Sequence, residues 1–203
     1  MLTGASVSYG IVDLAVVPSL AAAAPQFSSA GPAGAASYAQ GAIAPGEIIT
    51  IFGSAMGPDT LAQLRLNASG LVDNTLAGTR VLSDGVAAPV IYTWNKQLSV
   101  VVPYSVAAKT SVAVVVEYAG IASPPVTMSV TPSAPGIFTA NGSGTGQGAI
   151  LNEDGTVNSA ANPARKGSVV VIFATGEGQT NPGVPVLYWY SYPQALGSEA
   201  RRL

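Results

Sequence analysis

Apolar residues fall along this chain in short runs of four to eight, broken by glycine and proline. The pattern predicts strands in order. Glu47–Phe52 reads as a buried strand, rich in β-branched residues and closed by Gly53. Ser54 to Thr75 reads as a long loop, with a short helical turn expected at Leu61-Ala62-Gln63-Leu64. Thr79–Ser83 and Ala87–Trp94 flank Asp84-Gly85, a two-residue hairpin signal because both central positions of a type I′ turn need positive φ. Gln97–Val102 is a strand stopped by Pro103, which has no N–H to give a ladder. Thr110–Tyr118 contains Val112-Ala113-Val114-Val115-Val116, apolar on both faces, and turns at Ala119-Gly120 into Ile121–Val130. Pro124-Pro125 confines the first half of that last strand to an edge or a bulge. Six or seven short strands at this spacing predict an all-β fold, an immunoglobulin-like β-sandwich.

Two internal matches organise the chain. Gly46-Glu47-Ile48-Ile49-Thr50-Ile51-Phe52-Gly53-Ser54 returns 121 residues later as Gly167-Ser168-Val169-Val170-Val171-Ile172-Phe173-Ala174-Thr175, and Gly57 falls on Gly178. Val126–Ser133, followed by Ala134-Pro135 and Phe138, parallels Val12–Ser19, followed by Ala24-Pro25 and Phe27. The domains expected from these marks are a closing hairpin of an upstream repeat, or a weak signal peptide, at 1–24 and an Ala/Pro/Gly linker at 25–34. One complete immunoglobulin-like domain follows at 35–138, then a partial second unit at 139–183 and a divergent tail at 184–203. The hairpin reading places Ser8–Val17 in strands; the signal-peptide reading lacks a basic n-region, since Arg65 is the first basic residue. Thr139–Gly148 reads as a flexible glycine-rich joint. Val169–Ala174 reads as a strand with an edge open to strand addition.

Composition narrows the function. Charged residues make up only 9% of the chain, against about 25% in an ordinary soluble domain. Hydroxyls, amides and backbone must therefore face the water. Net charge is −2, and no basic run exists beyond Arg201-Arg202. A nucleic-acid partner, which needs a cationic footprint, is not expected. Without Cys or His, thiol chemistry, imidazole triads and zinc-finger sites are excluded. Ile11–Ala24 is interrupted by Asp13 and Pro18, and no membrane span is expected.

Candidate chemistry is thin. Asp84 and Asp154 precede glycine and suit turns. Asn152-Glu153-Asp154-Gly155-Thr156 lacks the bidentate Glu of a calcium loop, because Pro163 stands at that position. Gly142–Gly148 lacks the order of a phosphate loop and leads into no helix. Lys96, Lys109 and Lys166 sit in polar contexts unsuited to Ser–Lys catalysis. No catalytic, cofactor or metal residues are expected. Tyr92 and Trp94, two apart on one strand, share a face. They are the candidate glycan contacts, with core packing as the competing role. Tyr188, Trp189, Tyr190 and Tyr192 form a second aromatic cluster.

Three stretches carry a family resemblance: Ala36–Tyr38 with Ile43–Gly53, Val81–Tyr92, and Leu98–Tyr104. With Ala160–Gln179 they resemble a repeat-domain family at the C-termini of acidobacterial secreted proteins, and IPT/TIG-type immunoglobulin-like domains. The resemblance spans about Ala35 to Gly183 and stops where that family completes a second domain. It implies an immunoglobulin-like sandwich and an extracellular or cell-surface location, and brings no activity. The expectation is a non-catalytic structural or adhesive module of a larger exported protein. Its expected partners are neighbouring domains of the same chain, a polysaccharide or a surface protein. A carbohydrate-binding module using Tyr92 and Trp94 is the alternative, and an accessory domain of a secreted hydrolase the third reading.

Overall fold

A computed structural model describes residues 23–180. The expected Ser8–Val17 hairpin and the tail at 184–203 lie outside the described residues.

Alternation and turn chemistry give ten short strands between Pro32 and Ser129. They are β1 (Pro32–Gly34), β2 (Ile48–Phe52), β3 (Ala62–Gln63), β4 (Thr79–Ser83), β5 (Val86–Ala87), β6 (Val90–Trp94), β7 (Gln97–Val101), β8 (Ser111–Tyr118), β9 (Ile121–Ala122) and β10 (Val126–Ser129). One sheet has the order β1-β2-β7-β6-β3, the other β10-β8-β4-β5 with β9 also on β8. Every strand pair is antiparallel. The protein is an all-β, immunoglobulin-like sandwich with a smaller β unit after it. Leu61–Leu64, expected as a helical turn, instead supplies β3, where Ala62 and Gln63 pair with Thr93 and Tyr92. The hydrogen bonds offered by the edge of β6 outweigh a local turn too short to nucleate.

The inner faces interlock by period two. Ile49 and Ile51 of β2, Leu98 and Val100 of β7, and Val90 of β6 meet Val81 of β4 and Val112, Val114 and Val116 of β8 in one core cluster. Ile51 and Leu98 are fully buried, each contributing about 1.5–3 kcal/mol of transfer free energy. In β8 only the three even-numbered valines are buried, while Ala113 and Val115 are half-exposed. A hydroxyl relay also crosses the core: Thr93 Oγ1 donates to Thr79 Oγ1 (2.9 Å), which donates to the Met56 carbonyl (3.3 Å).

Both tight hairpin turns hold their two central residues at positive φ. Asp84 and Gly85 have φ of 47° and 83°, and Ala119 and Gly120 have 50° and 81°. Ser123 repairs the break at Pro124-Pro125, where its Oγ accepts from Val116 N–H (3.0 Å) and donates to the Pro124 carbonyl (2.9 Å). Pro32–Gly34, within the expected linker, forms an edge strand against Ile49–Ile51.

The smaller unit contains β11 (Gly136–Ile137), β12 (Ile150–Leu151), β13 (Val171–Ile172) and β14 (Ala174–Thr175). β12 pairs with β13 and β11 with β14. The expected strand Val169–Ala174 is thus reduced to Val171–Ile172 and Ala174–Thr175, with Val169 and Val170 outside any strand and a break at Phe173. That residue accepts from Phe138 N–H and donates to the Ala149 carbonyl.

Two changes test this account. Ile51→Ala lowers unfolding free energy by about 2–5 kcal/mol in denaturant titration. Ala119→Asn raises it by about 0.5–1 kcal/mol, because asparagine tolerates the left-handed conformation that alanine holds there at a cost.

Candidate functional site

The outward side of the five-stranded sheet gathers the chain's candidate binding residues. Thr93 is fully buried, so its neighbours Tyr92 and Trp94 face away from the core, each half-exposed. Their surroundings differ. Trp94 donates its indole N–H to the Asp59 carbonyl (3.0 Å), and Asn95 Nδ2 donates to Asp59 Oδ1 (2.7 Å). These bonds fasten the 57–60 loop over the end of the sheet. Gly57 is needed there, since a Cβ would stand 2.2 Å from Thr93 Oγ1.

Tyr92 stands between two depressions. Its hydroxyl accepts from Gln97 Nε2 (3.3 Å) and lies 3.4 Å from Thr50 Oγ1. On one side is a hollow of about 300 Å³ that includes Tyr38, Ile48, Thr50, Phe138 and Thr139. On the other is a hollow of about 450 Å³ that includes Leu61, Gln63, Leu64 and Gln97. Ile91 and Tyr92 belong to both; Trp94 lines neither.

The glycine-rich segment after Phe138 forms one wall. Its ends pair, with a bridge between Thr139 and Gly148 and a bond from Ala140 N–H to the Gln147 carbonyl. Gly144, at φ 78°, lies against Ser37 and Tyr38, and a Cβ would stand 2.8 Å from the Ser37 carbonyl oxygen. Tyr38 itself has φ 57°, an uncommon conformation for an aromatic residue. Sequence reasoning missed Tyr38 and Phe138. Periodicity cannot bring a loop at 139–148 onto a residue a hundred positions earlier.

Beneath this face the sandwich meets the smaller unit. Ile48 N–H donates to Thr175 Oγ1 (2.7 Å), and Tyr104 Oη donates to Glu177 Oε1 (3.2 Å). The Tyr104 ring covers Gly46, where a Cβ would lie 2.7 Å from the phenol oxygen. Burial, and then the Glu177 charge, raise the Tyr104 pKa. Close by, Glu47 is buried, and its Oε2 accepts from Ala44 N–H (2.8 Å). Burial pushes its carboxyl above the ordinary range, partly opposed by that bond.

The remaining acids are spread out and mostly occupied by structure. Asp84 is held low first by Lys109 (2.5 Å) and then by Ala113 N–H. Asp154 is held low by the Thr156 hydroxyl and N–H. Glu117 takes both Arg80 Nε and Nη2. Among the described residues no three acids gather as a metal site would require. No helix among them is long and apolar enough to cross a membrane. Compared with family models, curated proteins and solved structures, the chain matches none.

Glu47 gives a pH prediction. The folded protein holds this proton more tightly than the unfolded chain does. Its contribution to stability is therefore full below the ordinary glutamate value of about 4.3 and is lost as pH rises through the raised folded value. Glu47→Gln keeps the acceptor for Ala44 without the charge. Its Tm relative to the parent should rise between pH 4 and pH 7; a difference constant across that range contradicts the assignment.

Proposed function

We propose that this chain is a non-catalytic structural or adhesive module, a stretch of a larger exported or cell-surface bacterial protein in which immunoglobulin-like units follow one another. The observation that carries this reading is one local arrangement found twice. At Ala44-Pro45-Gly46-Glu47 a turn closes with Glu47 N–H on the Ala44 carbonyl (3.1 Å), with Gly46 at φ 75°. At Arg165-Lys166-Gly167-Ser168 the turn closes with Ser168 N–H on the Arg165 carbonyl (3.0 Å), with Gly167 at φ 86°. Each turn leads into a strand that takes an antiparallel partner from the segment before it: β1 on β2, and β12 on β13. Ser54 bridges Gln26, and the matching Thr175 pairs with Gly136.

The joint supports a mechanical role. Ala134 N–H donates to the Gly176 carbonyl (2.8 Å). With Thr175 on Ile48 and Glu177 on Tyr104, it links two units through several bonds at once. Units linked in this way transmit orientation and extend reach, and tandem copies raise avidity without new contacts. The scattered, structurally engaged carboxylates fit a module whose acids serve turns and strand pairing.

The absence of cysteine makes the test direct. Spin labels at Thr127→Cys and Glu153→Cys, both exposed positions, should give one narrow distance distribution by pulsed dipolar spectroscopy, broadened by Thr175→Val. A broad distribution in the otherwise unaltered chain, or release of reducing ends from a polysaccharide by it, overturns the reading.

A further inference from the structure

We propose that the outward face of the five-stranded sheet is a binding groove for a neutral oligosaccharide, with Tyr38, Tyr92 and Phe138 as its ring platforms. This goes beyond the module reading, which stands or falls without it.

The two hollows on either side of Tyr92, of about 300 and 450 Å³, share Ile91 and Tyr92 as a common ridge. They lie side by side on one sheet face as two adjoining subsites with that ridge between them. Each lies within the range of about 300–1,000 Å³ usual for small-ligand sites. One subsite carries Tyr38, 45% exposed, together with half-exposed Tyr92 and Phe138. Aromatic side chains bring a broad apolar face with, in tyrosine, a polar edge. A pyranose is complementary, with C–H groups on its faces and hydroxyls around its rim.

The polar groups of the groove have the same character. Half-exposed Thr139 supplies a hydroxyl, and Gln63 and Gln97 supply amides; Thr50 and Ser99 lie buried beneath, where Ser99 Oγ donates to the Ile49 carbonyl (2.9 Å). Both kinds give and accept hydrogen bonds, as sugar hydroxyls do. Gln63 is exposed and spends its amide on no hydrogen bond among the described residues. Among the described residues, no Lys, Arg, Asp or Glu lines either hollow. A polyanion would find no countercharge and a polycation no carboxylate, which selects an uncharged ligand.

The groove is also built and held open. The 139–148 wall is closed at its base by the Thr139–Gly148 bridge and seated on Tyr38 by Gly144. Gln97 and Thr50 fix the Tyr92 hydroxyl. Rings held this way lose little entropy on binding.

A proline-rich peptide is the rival occupant, since it too lies across aromatic side chains. Hydroxyl and amide groups at both ends of the groove favour the sugar, which offers donors and acceptors around its whole rim.

The test is calorimetric titration of the full chain with cellohexaose, xylohexaose, mannohexaose and chitohexaose, alongside polygalacturonate and decaproline. At least one neutral hexasaccharide should bind, with an affinity unchanged by added salt. Tyr92→Ala and Tyr38→Ala should each weaken it by about tenfold or more. Trp94→Phe, outside the groove, should leave it within about twofold. Tyr38 is exposed, so its variant keeps the test valid if Tyr92→Ala melts early. No binding by any neutral hexasaccharide overturns the proposal. So does binding confined to polygalacturonate or decaproline, or hexasaccharide binding that survives Tyr38→Ala.

Discussion

Burial of one alternating set of β-branched side chains between two sheets governs the rest of this molecule. Ile49 and Ile51 sit in the middle of it, on a strand paired along both edges, by β1 and by β7. A strand so placed can expose no polar backbone, and its inner side chains reach water only if the sheets separate. With charge on only 9% of residues, the protein has few ion pairs to offset a fault in that packing. Among the described residues its two salt bridges, Arg80–Glu117 and Lys109–Asp84, lie at the surface, where solvent screens such pairs and they add little to stability.

The smaller unit shows the same sequence pattern under a different constraint. Val170 and Ile172 match Ile49 and Ile51 in the repeated segment. They are 37% and 49% exposed, against 2% and 0%. The residues are equally apolar, but among the described residues no second sheet faces them. What orders this unit is its attachment: Thr175, Gly176 and Glu177 are bonded to the sandwich or to the segment leaving it. The strand therefore borrows stability from its neighbour.

Most of the sandwich was legible because its signals are local. Asp84-Gly85 and Ala119-Gly120 announce their turns, Pro103 ends β7, and the β-branched apolar run of Glu47–Phe52 marks β2 as a buried strand. β3 was not legible, since two residues carry no period and its pairing is decided by the free edge of β6. The site was half legible. The spacing of Tyr92 and Trp94 put them on one face, but nothing in that spacing says that Asp59 fastens Trp94 while Tyr92 lines both hollows. Tyr38 and Phe138 join the face only through a fold contact between distant loops. The glycines of 139–148 were visible as flexibility, whereas Gly144 serves a close approach.

Backbone hydrogen exchange, resolved by residue, measures the central claim most directly. If the core between the two sheets governs the fold, the amides of Ile49, Ile51, Leu98 and Val100 exchange slowest and only through global unfolding. Those of Val171 and Ile172 then exchange faster, through separate opening of the smaller unit. Rapid exchange in β2 and β7, or equal protection in both units, would contradict it.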